Sequence, residues 1–327
     1  MPRLLPSEEL RLLSKVSKLY YEERQTEDEI VPKLQLSRSK ISRLLKQARD
    51  AGIVKITVIS PPGVFSDLEM QLESRFHLLE VIVVEASQPD SQVAVTHELG
   101  IAAASYLHRT VRENDVIGIS WGSTLHSMVD AMQPCSMPTV QVIQIIGGLG
   151  RPESEMHATE LCRRLSRVLN CNLTLLPAPG IVDNQQVKEV ILSDSHVQRA
   201  LSFFPKLTTA IVGIGSPTPD SVVMRDGSII NPDELEDLLK MGAVGDIALR
   251  FFDSYGQLVL SDVNDRVIGI TLQQLSKVER VVGVGGGPNK FTVLQAALRG
   301  RLINTLITDH ATAHRLLESD ARYTNNS

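Results

Sequence analysis

Cysteine is scarce in this chain: three residues, Cys135, Cys162 and Cys171, among 327. None sits in a C-x-x-C pair and the number is odd. Neither a disulfide framework nor a cysteine zinc module is expected, only reduced structural thiols. Any unbroken apolar run of 18 residues is also missing, which argues against a membrane-spanning helix. The opening stretch MPRLLPSEEL has acids where a secretory signal would hold its apolar core, so the expected location is the cytoplasm. The eight histidines form no H-E-x-x-H and no cluster with ligand spacing, so no metal and no cofactor is expected. Neither nucleotide fingerprint is complete. GVGGGPNK (283–290) has Asn289 before Lys290 and Phe291 after it, unlike a P-loop, and no turn reads G-x-G-x-x-G with an acid at the expected distance.

What is present is unevenly spread. Residues 1–55 hold 12 Lys and Arg against 8 Asp and Glu, a net of +4. The remainder holds 21 against 30, a net of −9. A basic end on an acidic body fits a DNA-reading module joined to something that does not touch DNA. The length suggests a small domain plus a large one, and an apolar fraction of 43% supplies a real core.

The basic end centres on Thr26 to Arg49. Thr26 and Glu29 form a capping box, and Glu27 and Asp28 suit the positive end of a helix dipole. Ser37 is a good N-cap for a second helix. Beyond it, Ile41, Leu44, Leu45 and Ala48 fall at helical spacing, while Ser39, Arg43 and Lys46 take the opposite face. Two helices joined by a turn, the second basic outside and apolar inside, form the helix-turn-helix pattern. Pro32 should kink the first helix. Gln35 occupies a turn position where a left-handed conformation would cost roughly 1 kcal/mol. In front, a helix opens at Ser7 with Leu12, Val16, Leu19 and Tyr20 as its expected buried face. Behind, Gly52 stops the second helix, and the β-branched run Ile53 to Ile59 is expected to be a strand, hence a wing. Domain boundaries follow: a winged helix-turn-helix over 1–60, a linker and amphipathic helix over 61–78, and a body over 79–320. The helix, Ser66 to Phe76, either packs on the body or pairs with its mate in a dimer.

From about Leu79 short Val/Ile runs alternate with helical patterns: VIVVE, DVIGISW, VQVIQIIGG, LTLLP, TTAIVGIG, RVVGVGG and NTLITD. Seven such runs predict a mostly parallel α/β sheet covered on both faces. Between Val222 and Ile270 the rhythm is less regular, which suggests an inserted or antiparallel region. In open α/β sheets ligands bind at the carboxyl ends of strands. Four strands here end in glycine turns: Gly118 to Thr124, Gly147 to Gly150, Gly213 to Ser216, and Gly283 to Lys290. Glycines let backbone N–H groups approach an anion, and a helix N-terminus adds its dipole. Ser123 and Thr124 bring hydroxyls to one helix start, and Lys290 brings a cation to another, so together they predict a phosphate cradle. Trp121 either stacks on a ligand or packs at a strand end. Asp246 either accepts sugar hydroxyls or forms a turn. Arg225 and Arg250 are candidates for phosphate pairing. Cys162 and Cys171 are expected in the core.

The helix-turn-helix followed by GISWGST, IIGG, GIGSP, GAVGDIALRFFD, GVGGGPNK and ALRGRLINTLITDHATA resembles the SorC family of bacterial sugar-binding transcriptional regulators, over roughly residues 10–318. The family resemblance implies a body similar to sugar-phosphate isomerases and deaminases, holding a phosphorylated sugar or related effector. Carried over by position, Trp121, Gly122, Ser123, Thr124 and Lys290 would hold the phosphate, and Gly147, Gly148, Gly215 and Asp246 would line the sugar. The rival is a sugar-phosphate enzyme. Such deaminases carry Asp-Gly-His after this glycine turn, whereas this chain has Gly213-Ile-Gly-Ser-Pro-Thr-Pro-Asp220, and the acid/base set is not visible. The expected function is operator-DNA binding controlled by the effector. Ser39, Lys40, Ser42 and Arg43 would reach base edges, and Arg38, Lys46 and Arg49 would reach phosphates. One such helix makes too little contact, so a homodimer or homotetramer on a palindromic site is expected.

Overall fold

The computed structural model describes residues 7–148, 158–218 and 229–324. The chain divides into two compact units, Met1–Ile59 and Ser60–Ser327. In the first unit, helix α1 (Ser7–Ser17) runs into a π-helical stretch, Lys18–Glu22, followed by α2 (Glu27–Leu34) and α3 (Arg38–Asp50). Leu13, Val16, Ile30, Ile41, Leu44, Leu45 and Ala48 form their shared core. The wider π turn shifts the phase of the side chains within it, so Tyr20, expected inside, is exposed and Tyr21 packs against the core; earlier in the helix Leu13 is buried. The capping box at Thr26 and Glu29 is formed, and Ser37 accepts the Lys40 N–H. Gln35 does adopt the left-handed conformation, at φ 52° and ψ 41°. The expected wing does not form. Residues 53–59 form no strand. The physical reason is the lack of a partner, since the described elements of the first unit are all helices.

The second unit begins with α4 (Ser66–Phe76) and β1 (Glu80–Val84), then α5 (Gln92–Thr110), β2 (Val116–Ile119), α6 (Ser123–Ala131) and β3 (Gln141–Gln144). Next come α7 (Ala158–Val168), β4 (Asn172–Thr174), α8 (Gln185–Ser193), α9 (Ser195–Leu201), β5 (Thr209–Gly213) and α10 (Pro232–Lys240). The unit closes with β6 (Gly245–Ile247), β7 (Arg250–Phe252), α11 (Asp262–Arg266), α12 (Leu272–Leu275), β8 (Arg280–Val284), α13 (Phe291–Arg299), β9 (Thr305–Asp309) and α14 (His310–Thr324). Seven strands form one parallel sheet in the order β1-β9-β8-β5-β2-β3-β4. All seven are the apolar runs read from the sequence. The irregular stretch contains β6 and β7, an antiparallel pair outside that sheet.

Alternate residues of each strand enter different cores, as the period of two requires. In β5, Ile211 joins the core covered by α5, α6 and α7, whereas Ala210 and Val212 join the one covered by α4, α13 and α14. Leu68, Leu72 and Phe76 of α4 are buried in this second core, so within one chain that helix packs on the body. It also covers the sheet edge. Glu73 accepts the Val81 N–H and Glu69 the Val83 N–H, each at 2.9 Å, along the open side of β1. Unpaired edge groups of this kind otherwise invite pairing with another chain.

Candidate effector and DNA-binding sites

In the first unit, α3 carries all seven residues expected to meet DNA, and each is exposed. They are not equivalent. Arg38 is braced against the first turn of α2, with Nε 3.3 Å from Glu27 and Nη1 3.6 Å from Asp28. Arg49 donates to the Tyr21 hydroxyl at 3.1 Å. The Ser39 hydroxyl lies 3.2 Å from that of Ser37. Lys40 and Arg43 border a groove against α1, where Glu8, Glu9 and Leu12 face them. Ser42 and Lys46 complete the outward face. Lys40, Arg43 and Lys46 form no ion pair among the described residues.

In the second unit the strand order turns back between β2 and β5. From β2 the chain proceeds through β3 and β4 to one edge, and from β5 through β8 and β9 towards the other. The crevice beyond the carboxyl ends of such a pair is where open α/β sheets bind ligands. Residues 122–124 follow β2, Gly215 follows β5, and Lys290 follows β8, so the fold gathers them on three neighbouring strand ends. Gly122 has φ 135° and ψ 156°, a conformation open essentially to glycine alone, and it starts α6 without a side-chain cap. Lys290 starts α13, also without a side-chain cap. By contrast α5, α8, α9, α10, α11 and α12 are each capped by a Ser, Thr, Asn or Asp side chain. No acid lies in the first turn of α6 or α13. Their positive ends are therefore left for another anion.

Backbone and side chain tie these ends together. The Lys290 ammonium donates to the Ile214 carbonyl at 2.8 Å, and the Ser216 hydroxyl donates to that of Asn289 at 3.3 Å. Gly215 and Asp246 exchange two backbone bonds, at 2.8 and 3.0 Å. A Cβ on Gly215 would lie 1.9 Å from Asp246 Oδ1, so only glycine admits the carboxylate there. Asp246 is 4% exposed and its Oδ2 accepts the Leu249 N–H at 3.1 Å. That bond helps to hold Ala248 and Leu249 at φ 52° and 59°, two consecutive left-handed residues that β6 and β7 need for a tight hairpin. Burial pushes the Asp246 carboxyl up to about 6, against the Leu249 bond and the nearby Lys290 charge. Burial likewise lowers Lys290, against the pull of Asp246.

A carboxyl raised in the folded state favours the fold while protonated. Its contribution is complete below the unfolded value near 4 and is lost as the pH rises to about 6. The full loss is on the order of 3 kcal/mol. Asp246→Asn keeps an acceptor for Leu249. The variant is expected to gain melting temperature over the parent progressively between pH 4 and 6, with a constant lead above that. Parallel melting curves for parent and variant would refute this reading of the site.

Other candidates take different roles. The Gly147 N–H donates to Ile268 O and the Gly148 N–H to Ala178 O. Neither is available to an anion, and a Cβ on Gly147 would meet the Pro179 carbonyl at 2.4 Å. These two glycines let backbones approach. Gly150, Asp220 and Arg225 lie outside the described residues. Trp121 is 8% exposed and belongs to the core, which is the packing role. The Arg250 guanidinium is buried and donates to four carbonyls, those of Asn264, Val267, Gly269 and Ile270. Those bonds make it a structural staple rather than a phosphate ligand. Cys162 is fully buried and its thiol is pushed up to about 12. Asp309 and Thr312 were not singled out by sequence reasoning. The Asp309 carboxylate accepts the Gly287 N–H at 2.7 Å and the Thr312 hydroxyl at 2.6 Å, which closes the GVGGG turn. The T-D-x-x-T spacing before a helix was the available signal.

Residues 61–318 match a family model described as "Putative sugar-binding domain". The chain is 32% identical over 320 residues to the sorbitol operon regulator of Klebsiella pneumoniae, covering 95% of this chain and 99% of that one. The chain belongs to the SorC family. It is also 34% identical over 313 residues to the deoxyribonucleoside regulator of Bacillus subtilis, covering 95% and 98% of the two chains. Among solved structures, full-length SorC from K. pneumoniae aligns over 95% of this chain and 100% of its own, with a TM-score of 0.72 and 31% identity. A DeoR-family regulator from Listeria monocytogenes aligns over 77% of this chain and 98% of its own, with a TM-score of 0.71 and 28% identity. This SorC-family chain is thus a sequence-specific transcriptional regulator of carbohydrate utilisation, with a sugar-binding effector domain. No described helix is long and apolar enough to cross a membrane. Among the described residues no group of three or more His, Cys, Asp or Glu could hold a metal ion.

Proposed function

We propose that the effector is a phosphorylated sugar or a closely related metabolite, bound beyond β2, β5 and β8. Its phosphate lies between the starts of α6 and α13, over Gly122, Ser123 and Thr124, with Lys290 as counter-charge. Its hydroxyls donate to Asp246, beside Gly215, and Gly147, Gly148 and Trp121 shape the wall. The observation that carries this reading is the pair of helix starts without caps or acids at the point where the strand order turns back. Two copies of α3 read a palindromic operator from a homodimer or homotetramer. Ser39, Lys40, Ser42 and Arg43 meet base edges, while Arg38, Lys46 and Arg49 meet phosphates. The effector favours one arrangement of the two heads, so operator DNA alters effector affinity by the same factor.

Lys290→Met retains the packed stem and removes the charge. In a thermal-shift panel of pentose and hexose phosphates with their parent sugars, the wild type is expected to be stabilised by a phosphorylated member. At 100 times Kd the gain is about 2.7 kcal/mol. The variant should lose that gain and keep its affinity for operator DNA. An undiminished shift in the variant would remove the phosphate from the proposal.

A further inference from the structure

The segment expected to be a wing has the pattern of a strand and no strand to join. Val54, Ile56 and Val58 alternate with Lys55 and Thr57, the period of a half-buried strand. Val54 is anchored: it packs on the core of the first unit and its N–H donates to the Ala48 carbonyl. Beyond it Ile56, Val58 and Ile59 are 61%, 87% and 84% exposed. An exposed apolar stretch with the alternation of a strand is a template for pairing, and natural chains blunt or cover such stretches. This one carries no proline and a single charge over residues 53–59.

We infer that residues 53–59 of two copies pair antiparallel across a two-fold axis through Ile56. The inference rests on the two-fold DNA reading above. It commits to a second copy of this chain, because the pairing is self-complementary in three respects. Centred on Ile56, the register sets Ile56 against its mate and Val54 against Val58, giving one wholly apolar face. On the other face Lys55 meets Thr57, so like charges are not opposed. Centring on Lys55 would oppose two ammonium groups. The apolar face is continuous with the core of the head through Val54, so the ribbon extends that core towards the axis.

The test is a cysteine scan in the full-length protein, with Lys55, Ile56, Thr57, Val58 and Ile59 replaced one at a time and oxidised with glutathione disulfide. Facing residues of an antiparallel pair have Cα atoms ~4.5–5.5 Å apart, within disulfide reach, whereas neighbours in the register do not face their own mates. Cross-linked dimer is expected to peak at Ile56→Cys and to fall at least fivefold at Lys55→Cys and Thr57→Cys. The wild type is the control, since burial raises all three native thiols. Equal yields across the scan, a maximum at another position, or no cross-link above wild type would each overturn the pairing. A second measurement uses Ile56→Asn with Val58→Asn. Operator affinity should drop at least tenfold while sugar-phosphate stabilisation of the body is unchanged, and unchanged operator affinity would count against the ribbon. The scan is run without DNA. A peak at position 56 in a protein that binds no palindromic DNA would sink the operator reading and leave the pairing standing.

Discussion

Arg43→Ala is expected to weaken operator binding by roughly 5- to 150-fold, the ~1–3 kcal/mol of a lost base contact. Thermal stabilisation by sugar phosphates should be unchanged, because the substitution lies in the first compact unit and the effector residues in the second. Arg43 is singled out by its surroundings. Of the three arginines on α3, Arg38 is held by Glu27 and Asp28, and Arg49 by Tyr21. Arg43 is exposed in the first half of the helix, at the border of the groove against α1, without an ion pair among the described residues. A gel-shift titration against operator and scrambled DNA separates the possible contacts. If Arg43 reads a base, the loss is confined to the operator. If it meets a phosphate, both sequences weaken alike and the salt slope drops by about 1. Unchanged affinity for both would remove Arg43 from the interface.

The second large effect is expected at Gly215. An alanine methyl there would stand 1.9 Å from Asp246 Oδ1 and 2.8 Å from its Cγ. The carboxylate cannot withdraw freely, because it is buried and holds the Leu249 N–H, and with it the left-handed pair Ala248 and Leu249. Gly215→Ala should destabilise the body by ~2–4 kcal/mol, through overpacking and loss of that bond. It should also abolish the response to the effector. Combining Gly215→Ala with Asp246→Gly frees the space, so stability should partly return while the effector response does not. If Gly215→Ala melts like the parent, the contact between the glycine turn and β6 is not as tight as described.

Much of the body was legible because parallel strands buried on both faces leave continuous Val/Ile runs, and all seven were found. Their spatial order was not legible. Nothing in VIVVE says that it lies beside NTLITD, since parallel pairing is set by crossovers rather than by local pattern. In the head, the caps at Thr26 and Ser37 and the stripe Ile41-Leu44-Leu45-Ala48 are local signals and were readable. The π stretch was not, so the buried face within it is read one residue out of phase, at Tyr20 instead of Tyr21. The strand propensity of 53–59 was legible, but a strand requires a neighbour, and the described elements of the first unit are all helices. In the site, the Gly122 and Lys290 turns were recognisable from glycines at helix starts. Gly147 and Gly148 look identical in sequence, yet the Ile268 and Ala178 carbonyls occupy their N–H groups. Arg250 shows the same limit, because the carbonyls that fix it come from residues 264–270, distant in sequence from β7.

The pairing of the first strand with the last has a consequence in time. β1 is an edge strand whose one neighbour in the sheet is β9. The head has its own core, all of whose residues precede Ile59, while the sheet cannot close until Asp309 has been synthesised, 250 residues later. At about 5–20 residues per second, that interval is roughly 12–50 s. Every newly made chain thus carries a head with its core complete for that long before it has a body able to hear the metabolite. The lag is a fixed delay per molecule, so its weight in the pool of regulator grows with the rate of synthesis.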